Sequence, residues 1–364
     1  MILHFYFARR FLRFFLAIAL IFALFFFLVD LVEQLRKFGD EVSFGQVVHM
    51  TLLNLPGGTY SILPLVTILA AISMCISLAR SSELVVSRAA GRSGLAALMG
   101  PVGVALVIAG LAVGMLNPIV AATSKRAADL EQEWDSDGGS VLSIGAEGLW
   151  LRQGADGAQT VIRASRTNPD ATVLFDVSFV SYAPGGGPEQ RIIAERAELE
   201  AGDWVLTKAK VWPLGDVGNP EQSAQTFDEM RLPSNLTQDG IRDRFGQPSA
   251  IPIWELPAFI RGLEEAGFSA RRHIVWLQSE LAQPIFLVAM VLVAAGFTMR
   301  PARLANTGLS VLAAVMLGFG LYYVRNFAQI LGENGQLNPM LAAWVPPVAA
   351  LLLALGLVLQ MEEG

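Results

Sequence analysis

Cysteine, histidine and charged residues are all scarce in this 364-residue chain. The single cysteine, Cys75, excludes an intrachain disulfide framework and a zinc cluster built from cysteines. The three histidines, His4, His49 and His273, do not show a metal-site spacing such as H-E-x-x-H, so no metal site is predicted. Charged residues make up 16% of the chain, against about 25% in a typical globular protein. This deficit argues against a disordered or nucleic-acid-binding protein.

Sequence motifs for nucleotide hydrolysis and acyl transfer are also absent. A G-x-x-x-x-G-K-[ST] loop cannot be present, because none of the lysines follows a glycine. The segment Gly91-Arg92-Ser93-Gly94 has the wrong spacing for a G-x-S-x-G nucleophile elbow. The apolar runs lack the paired carboxylates that carry protons in many transporters. We therefore expect no catalytic residue, ATPase site or cofactor here, and any energy for work must come from a partner.

Long apolar runs dominate the chain instead, with 53% hydrophobic residues and a mean hydropathy of +0.50. A bilayer core requires about 20 apolar residues in a helix. Six segments qualify, at about 11–31, within 51–79, and at 94–116, 281–299, 304–324 and 340–359. The sequence therefore predicts an α-helical membrane protein with three transmembrane helices, a long polar insert and three more transmembrane helices.

The distribution of basic residues predicts the orientation in the membrane. One set of flanks and short loops contains Arg9, Arg10, Arg13, Arg80, Arg88, Arg92, Arg300 and Arg303. The opposite short loops contain Arg36, Lys37 and Arg325. Because short cytoplasmic loops carry the excess of Lys and Arg, we expect both termini in the cytoplasm and the insert, about 118–273, outside. For Arg325, at the outer end of the fifth span, both snorkelling and a gate or lipid contact are considered.

The insert has the pattern of an antiparallel β domain. Short β-branched runs such as Val173–Val180 and Trp204–Leu206 alternate with turn sequences at 156–157, 168–169, 184–187 and 218–220. Helical periodicity is expected before it, at 125–134, and after it, at 253–267. We predict domains at 1–118 (helices 1–3), 119–272 (the β domain with flanking helices) and 273–364 (helices 4–6). Within the third span, Gly110-x-x-x-Gly114 suggests close helix packing.

The cytoplasmic segment at about 80–93 is the most informative loop. It starts with serines, places Glu83 in a first helical turn, and ends at Gly91, a residue type common after helices. One interpretation is a short connector whose arginines set the topology and whose Glu83 complements a helix dipole. The other interpretation is a coupling helix that inserts into a groove of a cytoplasmic ATPase.

These residues resemble the coupling segment of the lipopolysaccharide-export permeases, the YjgP/YjgQ family. The segment that carries the likeness is Arg80-Ser-Ser-Glu-Leu-Val-Val-Ser-Arg-Ala-Ala-Gly91. Further similarities lie at Asp30–Lys37, Gly138–Leu142, Glu147–Leu151 and Gln283-Pro284. The family has two paralogous branches. The sequence Ser-Glu-Leu-Val-Val in the coupling segment and the segment Gln34–Lys37 after the first span resemble the branch whose partner is LptF.

The resemblance implies a fold, a function and a set of partners. The outer domain would be a jelly-roll-like antiparallel β domain. The chain would pair with LptF above an LptB ATPase dimer, which binds ATP and Mg, in the cell inner membrane. It would extract lipopolysaccharide from the periplasmic leaflet and pass it, with LptC, toward the periplasmic bridge protein LptA.

The resemblance also implies roles for individual residues. The ATPase-coupling residues would be Arg80, Ser82, Glu83, Leu84, Arg88 and Gly91, with Glu83 facing a basic residue of the ATPase. Candidate contacts to lipid phosphates are Arg36, Lys37, Lys125 and Arg126; local pairing of Arg36 and Lys37 with Glu33, Asp40 and Glu41 is the alternative. Candidate acyl-chain residues are Phe26, Phe27, Ile62, Leu65, Phe319, Tyr322 and Tyr323, for which ordinary lipid-facing or packing roles are the alternative. Other family members carry basic residues where this chain has Asp30 and Gly57, which weakens the transfer of the phosphate site.

Two other classes of protein are compatible with parts of the pattern. One is a different ABC-type membrane subunit that releases lipoproteins or exports another lipid, although such subunits usually have one span before the large domain and three after it. The other is a membrane receptor with the β domain as its sensor, which would need a larger cytoplasmic output domain than these loops provide.

Overall fold

The chain divides into two compact units. The first comprises Met1–Ala127, Ser249–Leu256 and Arg271–Gly364, and the second comprises Ala128–Pro248 and Pro257–Ala270. The computed structural model describes residues 2–38, 42–83, 86, 89, 91, 93–134, 142–145, 148–153, 159–167, 173–183, 187–200, 202–214, 220–234, 247–265, 269–299 and 307–363.

Helices form nearly all of the first unit. The α-helices given by the described residues are α1 (Ile2–Phe38), α2 (Phe44–Ser61), α3 (Leu63–Arg80), α4 (Gly94–Leu111), α5 (Asn117–Trp134), α6 (Leu256–Glu265), α7 (Arg271–Thr298), α8 (Thr307–Glu333) and α9 (Pro339–Glu363). Within the described residues, six helical segments are long and apolar enough to cross a membrane. The prediction of six spans arranged three plus three is confirmed.

Local irregularities occur at the second and third spans. The second span, Leu63–Arg80, follows α2 directly after Ile62 and has Pro64 in its first turn, a position at which the missing amide hydrogen costs no helical bond. In the third, a π-helical turn at Ala112–Leu116 separates α4 from α5. The helix continues past this turn to Trp134, which agrees with the predicted helical extension of the third span.

Helix α7 lies at the centre of the membrane unit. It packs against α3, α4, α8 and α9, and its side chains Phe286 and Met290 are completely buried. Helix α1 is the least buried of the spans, because only 6% of the residues in its most apolar stretch are buried within the chain. Its apolar surface is therefore available to lipid or to a partner helix.

Helices α1 and α4 approach each other closely at Gly100. A β-carbon at this position would lie 2.3 Å from the carbonyl oxygen of His4, so a glycine is required there. The close helix packing predicted from Gly110-x-x-x-Gly114 is not seen at Gly110, where a β-carbon would meet none of the described atoms within 4 Å. At Gly114 a β-carbon would lie 3.7 Å from the ring of Trp254, which is ordinary contact with a side chain rather than a close approach of two helices.

The second unit contains one antiparallel sheet. Its strands are β1 (Leu142–Gly145), β2 (Gly148–Gln153), β3 (Gln159–Thr167), β4 (Val173–Tyr182), β5 (Pro188–Glu200), β6 (Asp203–Pro213) and β7 (Gln225–Pro233). Each strand pairs with its neighbour in sequence, giving the order β1 to β7. Alternate residues such as Ile162, Phe179 and Trp204 are completely buried, as expected when one face of a sheet forms a core. The predicted antiparallel β domain is confirmed.

Contacts of Gln153 show that this sheet is rolled. Gln153, at the end of β2, accepts hydrogen bonds from Trp204 Nε1 of β6 at 3.3 Å and from Ser234 Oγ at 2.7 Å. Its amide nitrogen donates to the carbonyl oxygen of Pro233 at the end of β7, at 3.4 Å. In a flat sheet β2 and β6 would lie about 19 Å apart, because neighbouring strands are spaced at about 4.8 Å. The sheet therefore curls strongly around its buried face, which fits the jelly-roll-like domain implied by the resemblance.

Candidate functional site

The segment that follows α3 is the predicted coupling segment. Arg80 ends α3, and the Ser82 carbonyl oxygen accepts a hydrogen bond from Val86 N at 3.2 Å, a helical spacing. Ser82 and Gly91 both have positive φ, 57° and 76°, the conformation usually adopted at the end of a helix by glycine. The Ser93 hydroxyl then accepts the Ala96 amide at 3.1 Å and caps α4. Leu84 and Arg88, also predicted as coupling residues, lie outside the described residues.

Glu83 forms an ion pair within the chain. Arg10 Nη1 of α1 lies 2.7 Å from Glu83 Oε1, and Arg10 Nη2 donates to Ser77 Oγ of α3, also at 2.7 Å. Arg10 Nη1 further donates to the Tyr6 hydroxyl at 2.6 Å. Partial burial alone would raise the pKa of Glu83, but hydrogen bonds from Arg10, Ser81 and Tyr6 outweigh it and lower the pKa. Glu83 is therefore ionised at neutral pH.

This geometry gives Glu83 a second role, which is to connect the coupling segment to α1. The family resemblance implies a contact of Glu83 with a basic group of the ATPase, and that contact stays a prediction. Arg10 was predicted only as a residue that sets the orientation, yet it joins α1, α3 and the coupling segment. Its spacing of four from Tyr6 was visible in the sequence, whereas nothing local could pair it with a residue 73 positions away.

The candidate phosphate-binding residues form two exposed pairs, one on α1 and one on α5. Arg36 and Lys37 are exposed in the last turn of α1, with Lys37 Nζ 4.8 Å from the ring centroid of Phe38. Lys125 and Arg126 are exposed on α5. Of the acidic groups proposed as local partners, Asp40 and Glu41 lie outside the described residues. Exposed guanidinium and ammonium groups can bind phosphate as a fork and as a point charge, respectively.

Two of the candidate acyl-chain residues, Phe26 and Tyr322, contact α2 from different helices. On the α1 side, a β-carbon on Gly58 would lie 3.7 Å from the Phe26 ring, so this ring covers α2. On the α8 side, the Tyr322 hydroxyl donates to the Ser61 carbonyl oxygen at 3.4 Å. The seven residues have the following positions: Phe26, Phe27, Ile62, Leu65 and Tyr322 are partly buried, while Phe319 and Tyr323 are exposed. The structure thus places Phe26 and Tyr322 beside glycine and serine residues three positions apart on α2.

An internal polar cluster was not predicted as a site. Glu280, just before the predicted fourth span, lies inside α7 and is buried together with Tyr60 of α2. Arg325 is also buried, which excludes the snorkelling interpretation for this side chain. Hydropathy could not reveal the cluster, because its members lie on three different helices.

These features together define a class of protein. Six apolar helices, a rolled antiparallel β unit and a short charged segment between the second and third spans are typical of a multi-pass membrane permease subunit with an extramembrane domain. Comparison with known families identifies it further. The model of the lipopolysaccharide export system permease LptF/LptG family matches residues 5–360, and the chain belongs to this family.

Curated relatives point to one branch of that family. The chain is 26% identical over 346 residues to the lipopolysaccharide export system permease protein LptG of Escherichia coli (strain K12), covering 92% of this chain and 91% of the relative. It is 25% identical over 323 residues to the protein of the same name from Haemophilus influenzae, covering 84% and 83%. The family and the branch predicted from the sequence are confirmed.

Proposed function

We propose that this chain is the permease subunit that extracts lipopolysaccharide from the periplasmic leaflet of the inner membrane and passes it toward the outer membrane. The observation that carries the proposal is the family match over residues 5–360, which includes all six spans and the β unit. The absence of a nucleotide-binding loop from the full sequence fits a subunit whose partner hydrolyses ATP.

The proposed complex follows from the family and from the distribution of charge. The chain pairs with LptF, and an LptB dimer binds ATP and Mg on the cytoplasmic side beneath the coupling segment. The basic flanks support cytoplasmic termini and a periplasmic β domain, which hands the lipid, with LptC, to LptA. The exposed Arg36, Lys37, Lys125 and Arg126 bind lipid phosphates, while the apolar residues beside α2 contact acyl chains.

Purification of the full chain from its native membrane tests the proposal. We expect a second permease, an ATPase and phosphorylated glycolipid to copurify, as measured by mass spectrometry of proteins and extracted lipids. Reconstituted in proteoliposomes with LptB and LptF, the wild-type chain should release lipopolysaccharide to a soluble acceptor only when ATP is hydrolysed. Vanadate provides the control, since it stops hydrolysis without removing the protein.

The same measurements identify the alternatives. Copurified lipoproteins in place of lipopolysaccharide would indicate a lipoprotein-release subunit. A preparation that contains neither an ATPase nor bound lipid, from a membrane in which both are present, would contradict the proposed function.

A further inference from the structure

Polar side chains meet inside the membrane unit, between helices α2, α5 and α7. The Tyr60 hydroxyl donates a hydrogen bond to the carboxylate of Glu280, and the side chain of Asn117 lies against both groups. Tyr60, Asn117 and Glu280 are 6%, 2% and 2% exposed. These residues have no part in the coupling segment or in the candidate lipid contacts.

Arg325 of α8 contributes the opposite charge. Its Nη2 donates to the Ser279 carbonyl oxygen at 3.4 Å and to Gln283 Oε1 at 3.2 Å, residues that lie on both sides of Glu280 along α7. Its guanidinium also lies 5.1 Å from the ring centroid of Phe286. Arg325 thus attaches α8 to one particular stretch of α7.

Stability alone does not explain charges in this position. The free energy needed to desolvate a carboxylate and a guanidinium can exceed the attraction between them. Apolar residues of similar size are therefore often at least as stabilising. Ionisable groups within membrane spans are rare and are typically associated with function. The best-attested use of buried polar and charged groups is to select one register between packed elements.

The register in question is that between α8 and the end of α2. Tyr322 and Arg325 are three residues apart, and therefore on neighbouring positions of one helical face. Tyr322 binds the Ser61 carbonyl oxygen, while Arg325 binds the part of α7 that holds Tyr60. Because α2 ends at Ser61, its last carbonyl groups are open to side-chain donors.

We propose that Tyr60, Glu280 and Arg325 are positioning residues that hold α8 at one distance from α2. The distance between α8 and α2 sets how accessible the apolar side chains of α8, including Phe319 and Tyr323, are to acyl chains. The inference rests on the proposed function only for the nature of the substrate. The arrangement of the helices is measurable without it.

The test measures the α2–α8 distance and transport in the same set of variants of the full complex. Nitroxide labels are attached to Leu52→Cys and Val324→Cys, both exposed positions, after the buried Cys75 is replaced by Ser. Pulsed electron paramagnetic resonance then measures the distance between the two labels. The variants are Glu280→Gln, Arg325→Met and the double variant, with Gln329→Ala as control. Gln329 also lies on α8 but hydrogen bonds Glu333 of its own helix.

We expect one narrow distance distribution in the wild type and the control, and a shifted or broadened one in all three cluster variants. ATP-driven release of lipopolysaccharide should fall in all three cluster variants, because ionisable groups inside membrane spans typically serve function. The double variant leaves no unpaired buried charge, so it should keep the heat stability of the wild type while losing both the distance and the release. Should the double variant fail to fold, Tyr60→Phe, which removes a single hydroxyl from the cluster, gives the same comparison.

Wild-type distances and release rates in the folded double variant, or in Tyr60→Phe, would overturn the proposal, because the cluster would then be packing alone. A changed distance with unchanged release would overturn it equally. Failure of the proposed function is a separate result: the wild-type complex would not release lipopolysaccharide, whereas its distance distribution would still respond to the cluster variants.

Discussion

Arg10 of α1 and Glu83 of the coupling segment form an ion pair with a distance of 2.7 Å between Nη1 and Oε1. The same guanidinium binds Ser77 in the last turns of α3. The segment that faces the ATPase in the proposed complex is therefore fastened to α1, a helix whose surface is mostly open to lipid or to a partner. A displacement of the coupling segment can reach α1 directly through this pair.

Replacing Arg10 by Met tests this connection. The ion pair is partly exposed, so its loss should cost only about 1 kcal/mol of stability, while ATP-driven lipid release should fall more than ATP hydrolysis does. The ratio of lipid released to ATP hydrolysed in proteoliposomes gives the measurement. Arg9→Met removes the same charge from an exposed neighbour and should leave this ratio unchanged. Equal ratios in both variants would show that Arg10 serves only the orientation of the chain.

Glu83→Ala should weaken association with the ATPase or uncouple hydrolysis from transport. Copurification of the ATPase and the transport ratio measure the two effects. Since the pKa of Glu83 is lowered, its carboxylate stays ionised even somewhat below the ordinary pKa of glutamate. The pairing with Arg10 is therefore fully present above that ordinary pKa and is lost only as the pH falls through the lowered value. Titration of Glu83 should therefore not change the wild-type ratio of lipid released to ATP hydrolysed between about pH 6 and pH 8. Full export by the Ala variant would contradict its role in coupling.

Replacing Arg36 and Lys37 together by Ala should reduce contact with the lipid headgroup, because these exposed cations can bind phosphate. A photoreactive amino acid at Phe26 would report the yield of lipopolysaccharide crosslinked in the membrane. Lys208→Ala combined with Lys210→Ala in the β unit, where these lysines pair with Glu195 and Glu221, is the matched loss of two cations elsewhere. An unchanged yield would leave Arg36 and Lys37 as residues of membrane topology alone.

Trp204 and Gln153 should carry much of the stability of the β unit. Trp204→Ala removes a completely buried ring and should cost about 3–5 kcal/mol, whereas Gln153→Ala leaves the indole N–H unsatisfied, at about 1–3 kcal/mol. Limited proteolysis of the full chain across a denaturant series would rank the variants. Trp150→Ala, at a partly exposed position in β2, should cost much less, and an equal cost for both tryptophans would contradict a core closed around Trp204.

Gly100→Ala should separate α1 from α4, because the added β-carbon would meet the backbone of His4, which cannot move aside as a side chain can. Overpacking of this kind typically costs about 1–3 kcal/mol. Gly103→Ala, where a β-carbon would meet none of the described atoms within 4 Å, serves as the control. The melting temperatures of the two purified variants decide the point, and equal values would show that α1 is not held at Gly100.

Apolar run length was sufficient to predict the six spans and the insert, since it is a property of contiguous sequence. The family came from the resemblance of short motifs such as Arg80–Gly91, and the family match confirms it. Alternating or β-branched runs likewise predicted strands such as Val173–Val180, which lies within β4. The prediction at Gly110 shows where this reasoning stops, because a G-x-x-x-G pattern does not state which helix, if any, comes close. Gly100 makes the contact without any such pattern.

The sequence by itself determined that this chain crosses the membrane six times and carries an antiparallel β unit, because hydrophobic burial and backbone hydrogen bonding follow local periodicity. Only the tertiary structure decided that Arg10 meets Glu83, that Gln153 joins β2 to β6, and that Tyr60, Glu280 and Arg325 share one interior. These pairs lie dozens to hundreds of residues apart, and a charged or polar side chain gives no local sign of its distant partner. Their positions follow from how the helices and strands pack against one another.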